Sequence, residues 1–234
     1  KEELKAFTDV VIDWDSSIIA VGWRMLSDDL IFEEDGFFIL KLDNSGDTIF
    51  YKEQAIEKSP FMVPVFITLS SDRTYLITID DHLYWFTEDG SLLKKEALLI
   101  DEIIDLSYAP NGQLALLNQD GVHFFDSSGN FINSFFTENE PIIDVEYTEN
   151  AFWFITKNQL WQMNLNLEES KTYKLPVDTT YAHLSVSASD SVLVLISRDR
   201  SGANLLYEFN NDEWQKINIK IQIGSHINDV KIVD

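Results

Sequence analysis

Residues 103–136, IIDLSYAPNGQLALLNQDGVHFFDSSGNFINSFF, hold four short apolar runs separated by PNG, NQDG and DSSG. Gly and Asn tolerate positive φ and Pro presets φ, so the separators read as turns and the stretch as a four-stranded antiparallel meander. The pattern returns on both sides at nearly constant spacing. A chain that repeats one such unit is constrained to stack sheets of similar size, because each unit alone leaves apolar faces uncovered.

The spacing follows from the first strand of each repeat. Ile12, Ile67, Leu106, Val145, Val186 and Val230 are taken as its buried position, and Trp14, Leu69, Tyr108, Tyr147, Ala188 and Ile232 stand two residues later. A two-residue offset keeps both side chains on one face, so that face is expected to be buried between neighbouring sheets. Third strands end alike, with LDNSG, FTEDG and FDSSG each placing an apolar residue four before a Gly. Self-similarity at about forty residues is required of a propeller and not of a two-layer sandwich. The expected fold is therefore all-β: a β-propeller of four-stranded antiparallel blades, five blades plus one extra innermost strand. As a single domain over 1–234, the blades cover about 9–51, 65–97, 103–136, 142–175 and 183–219, with 226–234 the first strand of a further or shared blade.

Two segments stand outside the repeat. Residues 1–7 are polar and expected to be frayed or helical, and 52–64 form a connector with a helical turn ended by Pro60. The first repeat is enlarged by LSDDLIFEEDG, an acidic insertion between its second and third strands.

These repeats resemble the WD-repeat and NHL-repeat superfamily of propellers, and the hairpins FTEDGSLLKKEA and FFDSSGNFINSFF are closest to the NHL style. There is no Gly-His pair and no Trp-Asp ending, so no specific family is assigned. The resemblance implies the fold; the partners of those families do not carry over.

Lys and Arg total 17 against 40 Asp and Glu, a net charge of -23. Such a surface repels phosphate backbones and anionic lipid, which argues against nucleic acid; it reads first as an acidic coat that maintains solubility, with a basic partner as the alternative. No apolar run approaches the ~20 residues that span a bilayer, so no membrane insertion is expected. The chain has no Cys, which excludes disulfides and thiol chemistry and, with the start at Lys1, fits an exported or cell-envelope protein better than a eukaryotic cytosolic one.

Residues 226–234 look like one innermost strand without its three companions. An isolated strand leaves backbone groups unpaired, so something must cover it. An excerpt of a propeller of six to eight blades is the preferred explanation, ahead of strands donated by a partner and of closure onto the first blade.

Candidate chemistry is sparse. His183 and His226 both begin first strands and could face one another beside a central channel, but no metal-ligand spacing accompanies them. His82 and His123 sit between apolar neighbours and read as structural. Asp13, Asp105, Asp144 and Asp229 recur near first strands, which suggests a repeat-level task such as accepting N–H groups; a glycosidase would need two of them across a sugar. The turns at 43–47 and 126–130 lack the ligand pattern of a Ca²⁺ loop. Of six Trp residues, Trp14, Trp23, Trp85 and Trp153 read as core, while Trp161 and Trp214 could contact a sugar or peptide.

The most site-like stretch is the acidic insertion: Asp28, Asp29, Glu33, Glu34 and Asp35 surround the apolar Leu30, Ile31 and Phe32, an interface composition. With residues 53–61 it is expected to bind a protein or peptide. The expected function is thus a noncatalytic interaction propeller without metal or cofactor; the alternative is a carbohydrate-binding or glycoside-hydrolysing propeller working through channel-mouth carboxylates.

Overall fold

The computed structural model describes residues 2–28, 31–56, 64–98, 100, 102–137, 140–148, 150–168, 170–178, 181–186, 192–197 and 204–217. They form five four-stranded antiparallel sheets, each made of strands consecutive in sequence. The first contains β1 (Glu2–Ile12), β2 (Ile18–Asp28), β3 (Ile31–Leu42) and β4 (Thr48–Ala55). The second contains β5 (Val65–Leu69), β6 (Tyr75–Ile79), β7 (His82–Phe86) and β8 (Leu92–Ala97). The third is built from β9 (Asp105–Tyr108), β10 (Leu114–Leu117), β11 (Val122–Phe125) and β12 (Phe131–Phe135). In the fourth are β13 (Asp144–Tyr147), β14 (Ala151–Ile155), β15 (Gln159–Asn164) and β16 (Ser170–Lys174). The fifth has β17 (Tyr181–Val186), β18 (Val192–Ser197), β19 (Asn204–Asn210) and β20 (Glu213–Ile217). Residues 226–234, expected as an extra innermost strand, lie outside the described residues.

Composition explains the order of strands within a sheet. Second strands such as YLITI, LALL and AFWFI are apolar apart from Thr78 and are buried along their whole length, because both their faces are packed. Fourth strands alternate or are polar, and β8 and β16 are largely exposed, as an outermost edge requires. The third-strand motif is borne out as a turn: Gly46, Gly90 and Gly129 have φ of 85°, 75° and 87°, and each N–H reaches the carbonyl three residues back at 2.9 Å. Asp43 and Asp126 accept further N–H groups of the same turns through their carboxylates.

The strands fall into two compact units, Lys1–Leu106 and Ser107–Asp234. In the first unit, the core between the first and second sheets joins Ile19, Val21, Phe37 and Ile39 to Ile67, Tyr75, Ile77 and Tyr84. In the second unit, Phe124, Val145, Phe152, Phe154 and Met163 fill the space between the third and fourth sheets. Trp153, Leu160, Leu184, Val194 and Phe209 do so between the fourth and fifth.

The first-strand series needs two corrections. The Asp9 carboxylate accepts the Ile67 N–H at 2.9 Å and the Asp144 carboxylate accepts the Leu184 N–H at 2.7 Å, so Val10 corresponds to Val145, and Leu184 to Ile67. Ile12 and Val186 are each two residues too far along. Ile12 and Trp14 are also not buried: Ile12 is 43% exposed, because its face of β1 points away from the second sheet.

Candidate functional site

The first sheet departs from the repeat. Its strands run 11, 11, 12 and 8 residues, against 4 to 7 in the other sheets. The acidic insertion is not a free loop: Leu26 pairs with Glu34, Ser27 with Phe32 and Asp28 with Ile31, across a bulge between Leu26 and Ser27. Residues 2–7 are neither frayed nor helical, since Glu2, Glu3 and Leu4 pair with Ser27, Leu26 and Met25. Acidic side chains resist a β assignment by propensity, and the ladder on both sides overrides it. The register gathers Glu2, Glu3, Asp28, Glu33, Glu34 and Asp35 at one end of this sheet. Asp29 and Leu30 lie outside the described residues, as do 57–61 of the connector; Glu53 and Ala55 belong to β4.

A second bulge, between Phe7 and Asp9, leaves Thr8 without a partner in β2. Its hydroxyl donates to the Val65 carbonyl at 2.6 Å and accepts the Val65 N–H at 3.2 Å, stitching β1 to β5. The bulge also puts Phe7 on the face of Val10 and Ile12, away from the second sheet. There Phe7, 64% exposed, meets Phe38 edge-on at 5.1 Å, and Phe38 lies 5.8 Å from Tyr51. Gly22 leaves room for this: a Cβ there would stand 2.0 Å from the Ala6 carbonyl oxygen and 2.8 Å from the Phe38 ring. Val10, Ile12, Ile18 and Tyr51 continue the exposed apolar surface along the sheet.

Polar groups border this ledge. Lys5 donates to the Tyr51 hydroxyl at 2.7 Å and to Glu53 at 3.1 Å, Tyr51 donates to Glu53 at 2.6 Å, and Arg24 pairs with Glu53 at 2.9 Å. Lys5 also sits 4.8 Å from the centre of the Tyr51 ring. The Tyr51 hydrogen bond pulls the Glu53 carboxyl below its ordinary range against the effect of burial, helped by Lys5 and Arg24. Burial and the Glu53 contact push Tyr51 up. The result is an aromatic ledge with fixed charges beside it, suited to holding a side chain.

Two of the first-strand carboxylates are joints between sheets. Asp9, not Asp13, is the counterpart of Asp105 and Asp144, and Asp9 and Asp144 each tie one sheet to the next. Asp105 accepts the Leu106 N–H at 2.8 Å; Asp229 lies outside the described residues. Asp13 is buried with Lys41, which donates to its carboxylate, and the Tyr75 hydroxyl donates to the same oxygen at 2.9 Å. Asp15 adds a 3.2 Å contact to Lys41, and Trp14 stacks on Tyr75 at 5.8 Å. Burial would lower the Lys41 ammonium, but the Asp13, Tyr75 and Asp15 hydrogen bonds outweigh it and hold it well above the usual range. Burial, then Asp13, pushes the Tyr75 hydroxyl up. Asp15 is pulled down to about 2, chiefly by Ser17. With Lys41 facing three oxygen partners, this cluster is committed to holding two sheets together.

His183 is exposed, with Nδ1 3.6 Å from the Asp144 carboxylate; His226 lies outside the described residues, so the expected pairing of the two is not placed. Among the described residues, no three His, Asp or Glu side chains gather as a metal site. Trp85 and Trp153 are buried, Trp23, Trp161 and Trp214 are half-buried, and Trp14 is exposed at its edge.

No family model matches the sequence, and no curated protein matches it. Solved structures do. RRP9 WD40 repeats superpose with a TM-score of 0.68 over 99% of this chain and 85% of that one, at 10% identity. A protein of unknown function from Bacteroides caccae gives 0.69 over 97% and 86%, at 12% identity. The Neurospora crassa Pan2 WD40 domain gives 0.61 over 93% and 80%, at 9% identity. At such identities the likeness carries the fold alone: the chain is a β-propeller whose five described sheets are blades.

Proposed function

We propose that this propeller binds a protein or peptide through its enlarged first blade, taking a partner that brings apolar side chains and Lys or Arg. The observation that carries the reading is the departure of one blade from the repeat: its strands are about twice as long, its extra length is acidic, and Phe7 and Tyr51 are exposed beside it. In repeat architectures, insertions into single units gather on one face, often the binding one. Apolar surface supplies affinity, while the acidic end attracts a basic partner at long range. The WD40 neighbours share an architecture commonly used for protein interaction. Binding of this kind makes and breaks no covalent bond.

Selecting a random peptide library on the immobilised chain tests the reading. Enriched peptides should combine aromatic or aliphatic residues with Lys or Arg, weaken at high salt, and fail to bind a Phe7→Ser, Tyr51→Ala double variant. Peptides that bind the double variant equally well would overturn the proposal, as would specific binding or turnover on a glycan and glycoside panel with no peptide enriched.

A further inference from the structure

A different constellation lies in the third sheet, within Ser107–Asp234. His123 on β11 stands directly across the ladder from Ser134 on β12, and its Nδ1 is 2.9 Å from the Ser134 hydroxyl. Its other nitrogen, Nε2, is 3.1 Å from Asn118 Oδ1. That amide oxygen already accepts the Asp120 N–H at 3.0 Å and the Gly121 N–H at 3.1 Å, which fixes its orientation and leaves it an acceptor only. Nε2 must therefore carry a proton. Neutral His123 then has its lone pair on Nδ1, and the Ser134 hydroxyl is the donor to it.

Hydroxyl, imidazole and orienting amide in this order are the parts of an activated nucleophile: base within hydrogen-bond reach, and the base held in one tautomer by a third group. Burial lowers the basicity of His123 against a weaker opposing effect of Asp120, which keeps the ring neutral and available. Ser134 is half-exposed. Phe136, 56% exposed, stands edge-on to the imidazole at 5.9 Å, and Phe131, 58% exposed, shares the face of Ser134 because it pairs with Phe125, two residues along β11 from His123. An apolar acyl or aryl group has a surface to rest on next to the hydroxyl.

We propose that Ser134 is a nucleophile, activated by His123 as general base, that takes the acyl group of activated esters with small apolar substituents. Ser134 Oγ adds to the ester carbonyl as its proton passes to Nδ1. The bond to the alcohol oxygen then breaks, and the alcohol leaves with that proton. Water, deprotonated by the same nitrogen, releases the acid and regenerates the hydroxyl. This activity is independent of partner binding by the first blade.

The test uses the intact chain with p-nitrophenyl acetate and, separately, a fluorophosphonate, read by intact mass and peptide mapping. A single adduct at Ser134 is expected, absent in Ser134→Ala and formed on the order of 100-fold more slowly in His123→Gln, the usual worth of a general base. The rate should rise with pH through a midpoint below 6.5, the ordinary value for the ring. A merely structural cross-strand hydrogen bond would give none of these. Lack of a Ser134 adduct in the wild-type chain overturns the proposal whatever the variants do, and so does equal labelling in a folded His123→Gln variant.

Discussion

Two joints between neighbouring blades solve one packing problem with opposite chemistry. Between the first and second blades, an apolar core is closed at one end by the buried Asp13, Lys41 and Tyr75. Between the third and fourth, rings dominate: Phe124 lies 5.0 Å from Phe152 and 6.2 Å from Phe154, and Phe135 stacks on Phe154 at 5.4 Å, beside a lone-carboxylate tie in which Ser107 Oγ donates to Glu146 at 3.3 Å. Burial of ring surface is non-directional and tolerates drift of the surrounding sequence, whereas an ion cluster is all or nothing: each member is costly to bury without the others. The first joint therefore fixes one arrangement of two blades more strictly than the second, at a greater risk from any single substitution.

The sharpest test is a rescue experiment. Lys41→Met alone leaves the Asp13 carboxylate buried without its counter-charge and should cost about 3–5 kcal/mol. The triple variant Asp13→Leu, Lys41→Met, Tyr75→Phe should recover most of that loss in denaturant melts. At the ring joint, Phe154→Ala should cost a similar ~3–5 kcal/mol, and adding Phe124→Ala should deepen the loss. Rescue at both joints, or at neither, would erase the distinction.

Next in size is the response to alkali. Lys41 and Tyr75 hold their protons more tightly when folded than at their ordinary values of 10.5 and 10.0. Their stabilisation is complete below about pH 10 and drains away as pH rises through the folded values. At the ring joint, Tyr147 acts with the same sign through burial. Melting followed by Trp fluorescence from pH 8 to 11 should show an alkaline loss that Lys41→Met and Tyr75→Phe reduce and Phe154→Ala does not.

Smaller still is the carboxylate tie. Asp144→Ala orphans the buried Leu184 N–H and should cost about 1–3 kcal/mol, visible as faster hydrogen exchange at Leu184. The smallest effect on folding is expected at the ledge, where Phe7→Ser should change stability by about 0.5 kcal/mol or less yet remove peptide binding.

Much of the fold was legible because turn chemistry is local. PNG and DSSG specify backbone angles over four residues, and the apolar runs between them can only be strands of one length. Register was less legible: a strand repeats every two residues, so Ile12 serves as well as Val10 for any argument from alternation. Only the reach of Asp9 to Ile67, a contact between blades, separates them. The same slip promoted Asp13 to a first-strand carboxylate and hid its partnership with Lys41 and Tyr75, 28 and 62 residues away. The enlarged blade was recognised as acidic insertion, but its pairing with residues 2–7 was not, because charged residues carry no period that reveals a ladder. Ser134 left no mark at all, since His123 and Asn118 become its neighbours only through the β10–β11 turn and the β11–β12 register.

Each described sheet uses strands consecutive in sequence, and none borrows a strand from elsewhere in the chain. A blade can thus form as soon as its own stretch has left the ribosome, and later blades can condense on finished ones without waiting for a distant segment. Among the five described sheets, synthesis would then set the order of assembly, the enlarged acidic blade emerging ahead of the other four.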